Sequence, residues 1–345
     1  MQIKEEAGDT MSPTIKDVAK MSGVSMSTVS RVLNSPASVT EEKRIKVEKA
    51  IKQLKYHPNA LARGLIYKRT QSVGVLLPDV ANAYVAEVIR GMEDASINHG
   101  SNLILCNTDR NKERMIKYLK LLREKQVDGL VYTSDPLTEE IFREFDELNI
   151  PVVLSSTQSL EYAYPSVKVD DEKAGYDGTS YLIDKGHKHV AMISGPTTDP
   201  IAGYPRYTGY KQAMKERLGV ADVDDLTEFG NFQYDTGYDA MSRLYRKNKN
   251  ITAVFAVSDE MALGVISFLS DQGLSVPGDI SVLGFDNTRI ARMSIPKLTT
   301  VGQPMYDIGY KSMEKLEALL QKKELSEVRT YLPHKIIERE SVREI

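Results

Sequence analysis

The stretch TIKDVAKMSGVSMSTVSRVLN, residues 14–34 of a 345-residue chain, decides the reading of the fold. Thr14 stands three residues before Asp17, the spacing of a capping box, so a helix is expected to begin there. Gly23 interrupts the pattern. Ser25 then opens a second helix, in which Val29, Val32 and Leu33 fall on one side at helical spacing. Ser25, Met26, Ser27 and Ser30 are left on the other side, with Arg31 near its edge. Thr40 starts a third helix. Glu41 and Glu42 occupy its first turn, where the helix dipole favours acids, and Val47, Ala50, Ile51 and Leu54 form its apolar stripe. Helix, glycine turn, helix and supporting helix make a helix-turn-helix unit. A second helix with so short an outer face can sink into the major groove, where Arg31 reaches a guanine edge or a phosphate.

Charge supports this reading. Residues 11–70 hold twelve Lys and Arg against four acids, a net +8, and residues 1–10 carry −2. The whole chain is at −3, so residues 71–345 are at −9. A basic head on an acidic body points to a polyanionic partner for the head. After it comes YHPNALARGLIYKRT, residues 56–70. Pro58 ends what precedes, and Asn59 can cap a short helix through Leu65. With about two turns and no apolar partner, such a helix is marginal alone. It places Leu61 and Leu65 on one side, where a leucine can wedge between minor-groove base steps.

From Val73 onward, strand-like runs (VGVLL, NLILCN, GLVYT, PVVLS, HVAMIS, AVFAV, SVLGF) alternate with helix-length segments at 83–99, 112–125, 139–148, 172–185, 209–217, 236–246 and 259–271. This alternation implies parallel sheets covered on both faces. So long a segment suits two doubly wound α/β lobes better than one open sheet, with a ligand in the cleft by the strand ends.

Catalytic signatures are absent. No GxGxxG follows a strand and no GxxxxGK[ST] occurs, so no nucleotide cofactor is expected. His187 and His189 in GHKH are read as surface loop histidines and not as metal ligands, and no metal is assigned. Asp259 and Asp286 each follow a strand, as a catalytic acid, a sugar-hydroxyl acceptor or a helix cap would; Asp259 can simply cap the helix it begins. The single cysteine, Cys106, excludes a disulfide framework and reads as a buried thiol. No apolar run approaches the ~20 residues of a membrane span, and the polar N-terminus is unlike a signal peptide. A cytoplasmic protein without a membrane partner is expected.

The motifs TIKDVAKMSGVSMSTVSRVLN, YHPNALARGL, VGVLLPD, EKQVDGL, SDEMALG, ISVLGFDNT and PKLTTVGQP stand in the order and spacing of the LacI/GalR family of bacterial transcription regulators. The chain resembles that family over nearly all of residues 14–337, and most closely its catabolite control branch. The resemblance implies a non-enzymatic homodimer on a pseudo-palindromic double-stranded DNA operator, repressing sugar-utilisation genes under a small-molecule effector. It implies a helix-turn-helix domain at 12–57 after a tail at 1–11, and a hinge helix and linker at 58–70. The periplasmic-binding-protein-like core would have one lobe at 71–169 and 304–330, the other at 170–300 and 331–341, and a crossover at 301–303. Met26, Ser27 and Arg31 would read bases, with Ser25, Thr28 and Ser30 beside them. Thr14, Asn34 and Thr40 would touch phosphate. Asn59, Ala62 and the lever Leu65 would serve the minor groove. Tyr84, Val169, Arg206, Phe232, Ser258, Asp286 and Gln303 would line a cleft for a sugar or sugar phosphate. Asp286 suits two vicinal hydroxyls, Arg206 is a fork donor, and Phe232 offers a flat face to a pyranose. In the catabolite control branch, an arginine before the proline of the segment matching NTRIARMSIPKL meets a seryl-phosphorylated phosphocarrier protein. Here that position is Ile295, which cannot pair with phosphate. A small-molecule effector is therefore expected in preference to the phosphocarrier.

Overall fold

The computed structural model describes residues 13–56 and 69–345, with Asn34 described in its backbone alone. The expected tail at 1–11 and the hinge residues Asn59, Ala62 and Leu65 lie outside the described residues. Two compact units divide the chain, the first up to Thr70 and the second from Gln71.

Among its described residues the first unit has three α-helices, α1 (Ile15–Ser22), α2 (Met26–Asn34) and α3 (Glu41–Leu54). The backbone N–H and hydroxyl of Thr14 both donate to the Asp17 carboxylate, at 2.8 and 2.7 Å. These bonds hold Asp17 below its ordinary range. Gly23 closes α1 at φ +69°, in the left-handed region where glycine alone is unstrained. Ser25 caps α2, its Oγ accepting from the N–H of Thr28 at 3.2 Å. Val18, Val29, Val32, Val47 and Ala50 form the core, with Tyr56 closing it and Leu33, Ile51 and Leu54 packed against it.

The second unit has two six-stranded sheets. The first contains β1 (Ser72–Leu77), β2 (Asn102–Asn107), β3 (Gly129–Thr133), β4 (Val152–Ser155), β5 (Ser166–Val169) and β11 (Arg329–Leu332), in the order β11-β5-β4-β3-β1-β2. All its pairings are parallel. The second contains β6 (Val190–Ser194), β7 (Thr227–Phe229), β8 (Ala253–Ala256), β9 (Ser281–Asp286), β10 (Thr299–Gly302) and β12 (Lys335–Ile337), in the order β12-β10-β9-β8-β6-β7. Only its edge pair, β10 with β12, is antiparallel. Helices α4 (Ala83–His99), α5 (Lys112–Glu124), α6 (Glu139–Leu148) and α12 (Met305–Leu320) pack on the first sheet. Helices α7 (Asp171–Asp184), α8 (Gly203–Leu218), α9 (Tyr234–Lys247), α10 (Asp259–Asp271) and the short α11 (Arg289–Met293) accompany the second. This is the expected pair of doubly wound lobes.

The chain passes between lobes three times, after β5, after β10 and after β11. The last passage falls later than expected. The resemblance places residues 331 and 332 in the second lobe, yet Arg329–Leu332 pairs along its length with Ser166–Val169 of the first sheet. Residues 301 and 302, expected in the crossover, belong to β10 of the second sheet. Helix α8 begins six residues earlier than residue 209. Its opening, GYPRYT, combines glycine and proline, which lower helix propensity. Proline is nonetheless tolerated in a first turn, and the helix there lies tightly against the loop after β6.

Candidate functional site: a helix face and an interlobe cleft

On α2, Ser25, Met26, Ser27 and Arg31 are exposed, while Thr28 and Ser30 are half-buried at the edges of the face. Met26 exposes 47% of its surface. The Ser25 hydroxyl lies 2.8 Å from that of Ser27 and 2.9 Å from that of Thr28, which ties the first turn together. Thr14 and Thr40 stand exposed at the starts of α1 and α3. The α2 face is short and mostly polar and begins at the helix N-terminus, an arrangement able to meet phosphate and base edges.

The second unit holds a cavity of about 470 Å³ between its lobes, built from loops at the carboxyl ends of strands in both sheets. Tyr84, Arg206, Phe232, Ser258, Asp286 and Gln303 all line it. Val169 does not. It is buried behind the cavity with Val167 and Ile308. Successive side chains of a strand point to opposite faces, and on β5 it is Lys168 that turns to the cavity. The expectation for Val169 is corrected accordingly.

The deepest charges form a triad. Asp171 and Lys168 are about 4% exposed, and their side chains meet at 2.8 Å. Arg206 places Nε and Nη2 at 2.8 and 2.7 Å from Oδ1 of the same carboxylate. Its Nη1 donates to the carbonyl of Val257 at 2.7 Å, and its guanidinium lies 3.6 Å from the centre of the Phe285 ring. Lys168 also donates to the carbonyl of Ile201 at 2.9 Å.

Asp286 ends β9 at φ +112°, a strained value for a residue with a side chain. Its carboxylate faces the cavity and accepts from Gln303 Nε2 at 2.7 Å. Burial drives its pKa well above the ordinary carboxylate range, with Arg206 pulling the other way. Phe232 also sits at positive φ, +72°. Two neighbours hold it there. The Ser258 hydroxyl donates to its carbonyl at 2.9 Å, and Gly195 leaves room for its ring, since a Cβ there would lie 2.2 Å from Cζ. Ser258 also caps α10, accepting from the N–H of Met261 at 3.1 Å. With its hydroxyl doubly engaged, Ser258 positions the aromatic wall.

Asp259 is not that helix's cap. Its Oδ2 accepts from the N–H and hydroxyl of Thr288, at 2.7 and 2.8 Å, and its Oδ1 from the hydroxyl of Thr300 at 2.7 Å. It clamps the loop that carries Asp286, and burial pushes its pKa up to about 6. The surface reading of His187 is corrected: the ring is buried, with Nδ1 3.0 Å from the Thr252 hydroxyl and Nε2 3.1 Å from the Arg343 carbonyl, so both ring nitrogens are occupied within the fold.

Sequence reasoning missed several lining residues. Asp135 follows β3, 3.5 Å from Arg110, and burial pushes its pKa up to about 6. Asn82 donates across the cleft to Glu260 at 3.2 Å, and Tyr84 donates to the Ser156 hydroxyl at 2.7 Å. Asp135 repeats the signal that drew attention to Asp286, an acid directly after a strand. Lys168 shows only as a charge between two valines, and Asp171 is one of three consecutive acids, Asp170 to Glu172.

Comparison with known proteins assigns both units to a family. Residues 14–59 match the model of bacterial regulatory proteins of the lacI family, and residues 70–340 match that of periplasmic binding proteins and the sugar-binding domain of the LacI family. Catabolite control protein A of Priestia megaterium is 42% identical over 96% of this chain and all of its own. A solved complex of the regulator CelR with cellobiose is 30% identical, with a TM-score of 0.73, over 95% of this chain and 99% of that one. The lac repressor dimer bound to operator and anti-inducer is 26% identical, with a TM-score of 0.86, over 96% of this chain and all of that one. The chain belongs to the LacI family of bacterial regulatory proteins and is a transcription regulator with a helix-turn-helix head and a two-lobed α/β core.

Proposed function

We propose that this regulator binds a pseudo-palindromic operator as a cytoplasmic homodimer, reads it with Met26, Ser27 and Arg31, and responds to a sugar held between the lobes. The observation that carries the sugar reading is the cavity's set of hydroxyl partners at the strand ends. Asp286 offers a buried carboxylate, Arg206 retains N–H groups beyond those it uses, and the half-buried Phe232 lines the wall. The cellobiose held by CelR is in keeping with this chemistry. Thr14, Asn34 and Thr40 are assigned to phosphates, and Asn59, Ala62 and Leu65 to the minor groove. No described helix is long and apolar enough to cross a membrane. The relatives compared above are regulators, and no catalytic step is assigned here.

A phosphocarrier is the second reading, favoured by the similarity to catabolite control protein A. Ile295, where the resemblance calls for an arginine, is 93% exposed and can offer no partner to a phosphate. Arg292 in α11 is the nearest preceding cation along the chain. The missing arginine costs such a complex charge-assisted bonds of about 1.5–3 kcal/mol each. The sugar is therefore preferred.

Arg31→Ala is expected to weaken operator binding by about 1–3 kcal/mol and relax specificity at one position of each half-site. Fluorescence anisotropy on cognate and singly mismatched duplexes checks this, and an unchanged cognate affinity removes Arg31 from the reading set. Asp286→Ala is expected to abolish sugar binding in calorimetry while leaving operator affinity within about twofold, since its own site contacts no DNA in this reading. Sugar binding that survives the substitution excludes Asp286 as a ligand.

A further inference from the structure

We propose that the cleft selects its effector by charge, admitting a neutral or amine-bearing polyhydroxyl molecule and rejecting the phosphorylated form of the same sugar. The inference rests on the reading of this cavity as the effector site and narrows it to one ligand class.

Seven carboxylates line the cavity against three cations, and each cation is already held. Lys168 and Arg206 share Asp171, and the single positive charge left on this triad is outnumbered by the acids of the lining even with Asp286 neutral. Arg110 lies against Asp135 at 3.5 Å. Asp109 is paired from outside the lining by Arg114. Three acids, Asp79, Asp199 and Glu260, then remain with no lining cation to balance them. A phosphate carries nearly two negative charges at neutral pH. Entering this cavity, it would lose its hydration to a site whose surplus is of the same sign.

Hydroxyl groups fare differently. Arg206 has five N–H donors and uses three, so it can donate to a neutral oxygen without giving up Asp171. One oxygen of Asp286 accepts from Gln303 and the other has no hydrogen-bond partner among the described residues. The Ser134 hydroxyl, buried in the cavity wall, also lacks a partner there. A donor and acceptors left idle at one site are what a polyol satisfies, and a protonated amine beside the surplus carboxylates is favoured further.

The test uses the full-length protein and competition calorimetry with matched probes: glucose, glucosamine and glucose 6-phosphate, then ribose and ribose 5-phosphate. Competition for the parent sugar's site keeps phosphate binding to the basic head out of the readout. The expected result is that the phosphorylated member displaces its parent more than about tenfold less well, one charge-assisted contact's worth, and that the amine displaces it at least as well as the parent itself. A sugar phosphate that competes equally or better overturns the proposal. Asp135→Asn releases Arg110 and is expected to narrow the gap by about tenfold; a gap unchanged in that variant overturns the electrostatic cause. If no probe binds at all, the cleft is not a site for these monosaccharides and this proposal falls, an outcome distinct from tight phosphate binding.

Discussion

Asp171→Ala is expected to destabilise the two-lobed unit by about 3–5 kcal/mol, the range for removing one partner of a buried ion pair. The carboxylate serves two cations, and the side chains of Lys168 and Arg206 are only 5% and 7% exposed. Among the described residues neither cation has a second carboxylate partner. Both would be left desolvated and facing each other. For a unit of this size the loss corresponds to a fall in midpoint of about 10 °C. An exposed pair sets the contrast: Arg143 and Glu139 are paired on the surface of α6 with both side chains about 70% exposed. Arg143→Ala should change stability by less than about 0.5 kcal/mol. Thermal and urea denaturation of the two variants checks both figures. An Asp171→Ala loss below about 1 kcal/mol would mean that water reaches the triad.

The second large effect is on DNA binding. Operator affinity is expected to fall about 10³–10⁵-fold between 50 and 200 mM salt, as for proteins that neutralise roughly six to ten phosphates. Residues 11–70 carry a net +8, and a dimer presents two such heads. Each phosphate contact releases condensed counterions, so the logarithm of affinity should decline linearly with that of salt concentration. Truncating Arg31, proposed to read a base, should shift the line, whereas removing a phosphate-contacting lysine should reduce its slope by about one. A flat dependence measured by anisotropy would contradict the assignment of the basic head to DNA.

The head was readable because its signals are local. Thr14 with Asp17, Gly23 and Ser25 are capping devices set within a few residues, and the apolar spacing of Val29, Val32 and Val47 closes a core of three helices. The lobes were readable in class, because seven strands show as apolar runs between helices. Five strands were not, for a physical reason: β5 carries the buried Lys168, while β7, β10, β11 and β12 are short and mix Thr, Lys and Arg into their runs. Their pairing is decided by neighbours distant in sequence, as when Arg329–Leu332 joins Ser166–Val169.

The site divides in the same way. Acids directly after strands drew attention to Asp286, and the motif positions led to Arg206 and Phe232. What the sequence could not display is engagement. Arg206 reads as a free fork donor until Asp171 is seen against it. Ser258 reads as a ligand until its hydroxyl is seen holding Phe232. Val169 and Lys168 differ by one step of a strand, and that step decides which of them meets the cavity.

The central claim is that occupancy of the cleft sets the affinity of the head for its operator. The direct measurement is anisotropy on a duplex selected by this protein from random DNA, with and without the sugar that calorimetry places in the cleft. A coupling of the ordinary size, about 1–3 kcal/mol, predicts a change in operator affinity of about 5- to 150-fold, with the reciprocal change in sugar affinity when operator is bound. Sugar that saturates the cleft and leaves operator affinity unchanged would contradict the account.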